Sequence, residues 1–211
     1  VMSHERRQKI ADIIKSHGLL AIEDDVWGFL PEGRASALAS YAPDQVIYVT
    51  GLSKAMSPGL RVGYIAAPTG ASDAIRAVAR MSSWMTPPMM AEVAMRWING
   101  PDGEEMIKWQ RQEAVARMKI ATDVLGGYNI RGHEHSYQIW LELPEPWRAE
   151  AFRDQAARKG VYFLSGDAFV VGRQQAPHAI RICVGSCRTR EEVQEGVEII
   201  RVPLISRQKS R

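Results

Sequence analysis

Three short apolar runs, LLAIEDD at 19–25, QVIYVT at 45–50 and RVGYIAAP at 61–68, constrain the fold more than any other feature of the chain. Each is a short apolar run, the pattern of a buried strand. The first ends in three acids, Glu23, Asp24 and Asp25. An apolar body with a polar tip is how a buried strand reaches a site. Helical patterns surround these runs, so the alternation predicts an α/β layer with a largely buried sheet.

The helices are marked by their ends. SHERRQKIADIIKSHG at 3–18 has Ser3 to cap its start, Ile10, Ile13 and Ile14 as an apolar stripe, and Gly18 to close it in a left-handed conformation. GASDAIRAVARMSSW at 70–84 and PPMMAEVAMRWING at 87–100 read as two further helices, the second with proline first and Asn-Gly last. A long amphipathic helix follows at 101–127. The later chain changes character: strand at 136–144, helix at 147–160, strands at 161–166 and 179–185, and a closing helix at 189–204. This order predicts two domains, 1–103 built on the first sheet and 104–211 a smaller α+β unit.

Composition narrows the function classes. With 211 residues and 45% hydrophobic content, the chain has enough apolar mass for a sizeable core. The net charge is only +3, and six of the basic residues lie in the terminal stretches SHERRQK and SRQKSR, which read as solvated ends. No nucleic-acid surface is expected within these residues. Two cysteines, Cys183 and Cys187, are too few for a disulfide framework and fit a reduced, cytoplasmic protein. No apolar run reaches the ~18 residues of a membrane span, and the first residues carry no signal-peptide pattern. His133 and His135 bracket Glu134 but lack a third ligand at useful spacing, so a turn is expected there and no metal site.

The stretch VTGLSKAMSPGLRVGYIAAP at 49–68 holds the chemistry. A lysine that acts as a nucleophile must lose a proton that its ordinary value of ~10.4 would keep, and burial or nearby positive charge achieves this. Arg61 is such a neighbour of Lys54, and its fork suits a phosphate. The Ser-Pro-Gly between them turns the backbone so that both side chains can face one pocket. A lysine for an imine, an arginine for a phosphate and a strand-end carboxylate for a ring nitrogen match the needs of pyridoxal phosphate. On spacing alone Asp24 reads equally well as a turn residue and Arg61 as a surface residue, and both readings stand at this point.

The segments IEDDVWGFL, VIYVTGLSKAMSPGLRVGYIAAP and HAIRICVG resemble class I/II aminotransferases, the fold-type I pyridoxal-phosphate enzymes. SSWMTPPMMAEVAMRWINGPDGEEMIKWQRQEAVAR narrows the resemblance to the aminotransferase-like domain of MocR-type regulators of the GntR family. The resemblance covers essentially the whole chain. It implies the C-terminal part of a fold-type I transferase: half of the large-domain sheet, then the small domain. It also implies that Lys54 forms the Schiff base with the cofactor. Arg61 and Ser53 would hold its phosphate, Asp24 its pyridine nitrogen, and Arg181 the carboxylate of an amino-acid ligand.

Two positions depart from the family pattern. Trp27 stands where a tyrosine usually bonds the cofactor's phenolic oxygen, and an indole N–H donates but does not accept or ionise. Gly51 stands where a hydroxyl is common, so one phosphate contact is lost or passes to Thr50. The asparagine loop, glycine-bearing phosphate loop, stacking aromatic ring and winged-helix DNA-binding module that the resemblance places ahead of such a domain are not in this sequence, so an N-terminally truncated fragment is expected. The implied function is an effector-sensing domain whose parent is a homodimer and binds DNA through the missing module. The alternatives are a working aminotransferase acting on amino acids and 2-oxo acids, and a remnant that binds nothing.

Overall fold

The computed structural model describes residues 2–208, with side chains described to residue 205, so the end of the second basic stretch lies outside the described residues. The chain divides into two compact units, Val1–Arg111 and Gln112–Arg211.

The first unit opens with α1 (His4–Ser16). The Ser3 hydroxyl accepts the Arg6 N–H at 3.3 Å, Glu5 sits in the first turn and Lys15 in the last, and Gly18 takes a φ of 60° just beyond the end. Then come β1 (Ala21–Asp24), β2 (Val46–Gly51), the single turn α2 (Leu52–Ala55) and β3 (Gly63–Ala66). The strands form one sheet in the order β1-β2-β3, with β1 parallel and β3 antiparallel to β2. The helices α3 (Thr69–Ser83), α4 (Pro88–Asn99) and the start of α5 (Pro101–Leu125) complete the unit.

Register separates the two faces of this sheet. Ala21 pairs with Val46, and both pack with Ala11, Ile14 and Ala42, so α1 covers that face. Ile22 pairs with Ile47 and Val49 with Ile65 on the other face, where Ile22 is 72% and Ile65 52% exposed. The expected burial is thus met only where α1 covers β1 and β2, and β3 is exposed along its whole length. Asp24 lies on the open face, two residues on from Ile22. A second cluster joins Leu52 and Ala55 of α2, and Met56 just after it, to Leu60, Val62 and Ala94, with Phe29, Val93 and Trp97 packed against it. This cluster fixes the turn that carries Lys54.

The second unit holds a four-stranded antiparallel sheet in the order β4-β5-β7-β6, formed by β4 (Ile130–Gly132), β5 (Gln138–Glu142), β6 (Leu164–Ser165) and β7 (Ala179–Cys183). The helices α6 (Ala149–Ala157) and α7 (Arg190–Gln208) complete it. Its core is built on Ile139, Leu141, Phe152, Ile180, Val193 and Ile200, all at most 2% exposed. The strand expected over 161–166 shrinks to Leu164–Ser165, because Tyr162 and its neighbours leave the ladder, with Tyr162 81% exposed. Among the described residues no helix is long and apolar enough to cross a membrane, no group of His, Cys, Asp or Glu is placed to hold a metal ion, and both cysteines are free.

Candidate functional site

Ligands of α/β sheets bind outside the carboxyl ends of parallel strands. Here β1 ends at Asp24 and β2 at Gly51, side by side. The antiparallel β3 starts at that same end, with Gly63 opposite Gly51. Five of the residues singled out in the sequence, Asp24, Trp27, Ser53, Lys54 and Arg61, belong to the turns that leave or enter these strand ends.

The acids of Glu23-Asp24-Asp25 separate cleanly. Glu23 accepts an ion pair from the buried Arg7 of α1 and bonds the Ala39 N–H. Asp25 takes the Arg34 guanidinium at 2.5 Å and the Tyr48 hydroxyl at 2.7 Å. Burial and the adjacent Asp25 carboxylate hold the Tyr48 hydroxyl above its ordinary value. Among the described residues, Asp24 alone of the three has no cation paired with it. Its Oδ1 accepts the Val26 N–H at 3.3 Å, and the side chain is exposed at the end of the strand. Asp24 and Trp27 share the lining of a cavity of about 330 Å3 with Arg7, Gly28 and Arg34.

The loop after β1 is held tightly. A Cβ on Gly28 would collide with Arg34 and the Asp25 carboxylate, so only glycine lets that ion pair close over the backbone. The ring of Trp27, one residue before, lies under the Lys54 amine, with Nζ 5.3 Å from the ring centroid. The loops after β1 and β2 therefore meet at this pair.

After β2, the α2 turn places Ser53 and Lys54, and a 3-10 turn at Pro58–Leu60 leads to Arg61. The Ser57 hydroxyl caps this turn by accepting the Gly59 N–H at 3.3 Å. Arg61 takes left-handed backbone angles, φ 52° and ψ 31°, and its Nη1 donates to the Ser53 hydroxyl at 3.4 Å. Among the described residues neither Lys54 nor Arg61 is paired with a carboxylate. Thr50, the expected substitute for the hydroxyl missing at Gly51, is already engaged: its Oγ1 donates to the Asp25 carbonyl at 3.3 Å. Gly51 itself is explained by packing, since a Cβ there would press on the Val62 carbonyl at 3.3 Å.

Arg181 belongs to the second unit, in the middle of β7. Its guanidinium carbon stands 5.1 Å from the Phe169 ring centroid, and Trp140 faces it across the β5–β7 ladder. Trp140 and Phe169 meet edge to face at 5.6 Å. The Arg181 Nε is buried and has no hydrogen-bond partner among the described residues. Arg181 also lines a cavity of about 580 Å3 with Tyr162, Leu164, Cys187 and Glu192. Burial raises the Cys187 thiol above its ordinary value, which makes it a weak nucleophile.

Sequence reasoning missed the supporting set Arg7, Arg34 and Tyr48. Their partners lie 9 to 23 residues away along the chain, and no local pattern announces such pairs.

Comparison with known proteins accounts for this arrangement. The family profile Aminotransferase class I and II matches residues 1–200. The HTH-type transcriptional regulator YdeF of Bacillus subtilis is 34% identical over 95% of this chain and 43% of its own length. The aspartate aminotransferase of Thermococcus kodakarensis is 26% identical over the whole of this chain and 55% of its own. Among solved structures, the aromatic aminotransferase of Pyrococcus horikoshii superposes with a TM-score of 0.85 at 20% identity, covering 99% of this chain and 57% of that one. The α-aminoadipate aminotransferase LysN of Thermus thermophilus, solved with N-(5'-phosphopyridoxyl)-L-leucine, gives 0.79 at 24% identity over 93% and 52%. The chain spans about half the length of the relatives it matches. The profile match over nearly the full chain and the 34% identity to a regulator together show that it is an aminotransferase-like domain, a member of the pyridoxal-phosphate-dependent class I and II aminotransferase family.

Proposed function

We propose that this domain binds pyridoxal phosphate through Lys54 and serves as the effector-sensing part of a MocR-type, GntR-family transcriptional regulator. The observation that carries the reading is the donor set at the carboxyl ends of β1 and β2. A guanidinium and a hydroxyl, Arg61 and Ser53, stand together without a carboxylate partner among the described residues; the exposed Lys54 belongs to the same turn as Ser53, and Asp24 ends the adjacent strand. That set fits a phosphorylated pyridine aldehyde: Arg61 and Ser53 hold the phosphate, Asp24 keeps the ring nitrogen protonated, and Lys54 supplies the amine. When bound, the cofactor supplies an electron-withdrawing ring for chemistry at an amino-bearing carbon. Trp27 has no group that can accept a bond from the cofactor's phenolic oxygen.

In this reading Arg181 receives the carboxylate of an amino acid or related amino compound, supported by its unpartnered Nε. The regulator acts as a cytoplasmic homodimer and reaches DNA through a separate module. Ligand occupancy shifts its conformational equilibrium and so its DNA affinity. The test is to add pyridoxal phosphate, reduce with borohydride and map the mass increment. Expected is labelling at Lys54 that Arg61→Ala and Asp24→Ala reduce. Absence of the increment from Lys54 in the full-length protein sinks the reading; labelling of the full-length protein but not of this chain shows that the chain alone does not complete the site.

A second reading, a working aminotransferase, is favoured by the family match and the 26% identity to an aspartate aminotransferase. There Lys54 would also move the proton at the amino acid's α-carbon. Repeated amino transfer from an amino acid to a 2-oxo acid by the full-length protein would establish it over a pure sensor.

A further inference from the structure

Lys54 is exposed and has no carboxylate partner among the described residues, yet its amine is not free in solvent. It rests 5.3 Å from the centroid of the Trp27 indole. A cation within about 6 Å of a ring face is attracted by the ring's quadrupole, and tryptophan is the strongest of the aromatic partners. Trp27 is itself fixed. Its turn is closed by the Gly28 N–H to the Asp25 carbonyl at 3.0 Å and by the Leu30 N–H to the Trp27 carbonyl at 3.1 Å. Asp25 is pinned in turn by Arg34 and Tyr48. The turn that carries the ring is thus held by its own backbone bonds and by the Asp25 ion pair.

We propose that Trp27 is a positioning residue that cradles the Lys54 ammonium and thereby limits how readily this lysine is given up to an aldehyde. The proposal rests on the reading of Lys54 as the amine that captures the cofactor. An ammonium has no lone pair. Before it can add to a carbonyl it must leave the ring and release a proton to solvent. The neutral nitrogen then bonds to the carbonyl carbon, and the oxygen departs as water with the two remaining amine hydrogens. Attraction to the ring therefore slows capture by holding the nitrogen against the indole face and away from an incoming carbonyl. A tyrosine at position 27 would offer a weaker face and a hydroxyl. The indole makes this site slower to load, which suits a domain that responds to the level of its ligand.

The test needs no cofactor. The protein is treated with formaldehyde and cyanoborohydride at neutral pH, and methylation of each lysine is followed by peptide mass spectrometry. The Lys54 rate is divided by those of the exposed Lys108 and Lys159 in the same molecule. Trp27→Leu, which fills space without a ring quadrupole, is expected to raise the ratio about two- to fivefold, and Trp27→Phe to restore most of the original value. Incorporation of fluorinated tryptophans, which weaken the ring face at nearly constant shape, is expected to raise it stepwise even if the leucine variant does not fold. An unchanged ratio in Trp27→Leu, equal shifts in the Leu and Phe variants, or no response to fluorination would overturn the proposal. A shifted ratio alongside failed pyridoxal phosphate labelling would remove the cofactor reading and leave the cradle in place.

Discussion

Arg61 occupies backbone angles that suit glycine. A left-handed conformation costs a residue with a side chain about 1 kcal/mol, and strained positions persist where the surroundings or the function require them. The guanidinium that results reaches Ser53 and nothing acidic. Arg61→Gly separates stability from binding. Thermal unfolding is expected at an unchanged or slightly higher temperature, while pyridoxal phosphate affinity, read by absorbance titration, falls by about tenfold or more with the lost charged hydrogen bonds. A variant less stable than the parent would mean that Arg61 is a structural residue. At this scale the sequence was legible where chemistry is local. Lys54, Ser53 and Arg61 lie within nine residues. It was illegible where partners are distant: nothing in Glu23-Asp24-Asp25 says which acid is spared. The answer lies with Arg7, Arg34 and Tyr48, which neutralise or occupy the other two.

The helix α1 was readable because its Ser3 cap and its apolar positions lie in its own residues, and α4 because prolines open it. The short elements were not. β4 has three residues, and its Ile130 finds its partner Leu141 only across the ladder. The stretch at 161–166 has strand-forming residues but leaves the sheet after two, so tertiary context overrides its propensity. Nor does any pattern announce the buried network that fixes the turn after β7. In α5, Glu113 and Arg117 stand one turn apart, and both are less than 10% exposed. Arg117 donates to Glu113 at 2.8 Å and to the carbonyls of Val184, Cys187 and Arg188, while Arg190 adds a second cation to Glu113. The hydrogen bond from Arg190, with Arg117 beside it, holds the Glu113 carboxyl below its ordinary value of 4.5 against the opposing effect of burial. A depressed carboxyl contributes stability that is fully present above its unfolded value and is lost as pH falls through the folded one. In urea unfolding the parent midpoint should therefore drop on acidification below about pH 4.5, the ordinary glutamate range. Glu113→Gln should lower the midpoint at neutral pH and flatten that acid limb. Glu113→Ala, which strands Arg117, should cost about 3 kcal/mol. An acid limb as steep in the Gln variant as in the parent would assign the effect to another group.

Among the described residues, the largest run of exposed apolar side chains besides the open sheet face lies along and between α3 and α4. Along α3 and α4, Val78, Met81, Trp84, Met85, Met89 and Met95 are all at least 56% exposed, and α3 buries no residue at all. Isolated exposed apolar side chains are ordinary, but a contiguous methionine- and tryptophan-rich face marks an interaction surface. Trp84 sharpens the point. It sits between the two helices with a φ of 63°, a strained choice for a large residue. Nothing that buries it within the chain offsets that strain, since it is 73% exposed. A standard interface buries about 800 Å2 on each partner, and six large side chains this exposed supply roughly that area. The proposed homodimer is expected to bury this face against the same face of a second copy. Sedimentation across a dilution series should show a monomer–dimer equilibrium. The combined substitution Met81→Ser, Trp84→Ser and Met89→Ser should shift it to monomer with an unchanged circular dichroism spectrum. A parent that is monomeric throughout, or a triple variant that still pairs, would send the search for the dimer contact to another surface.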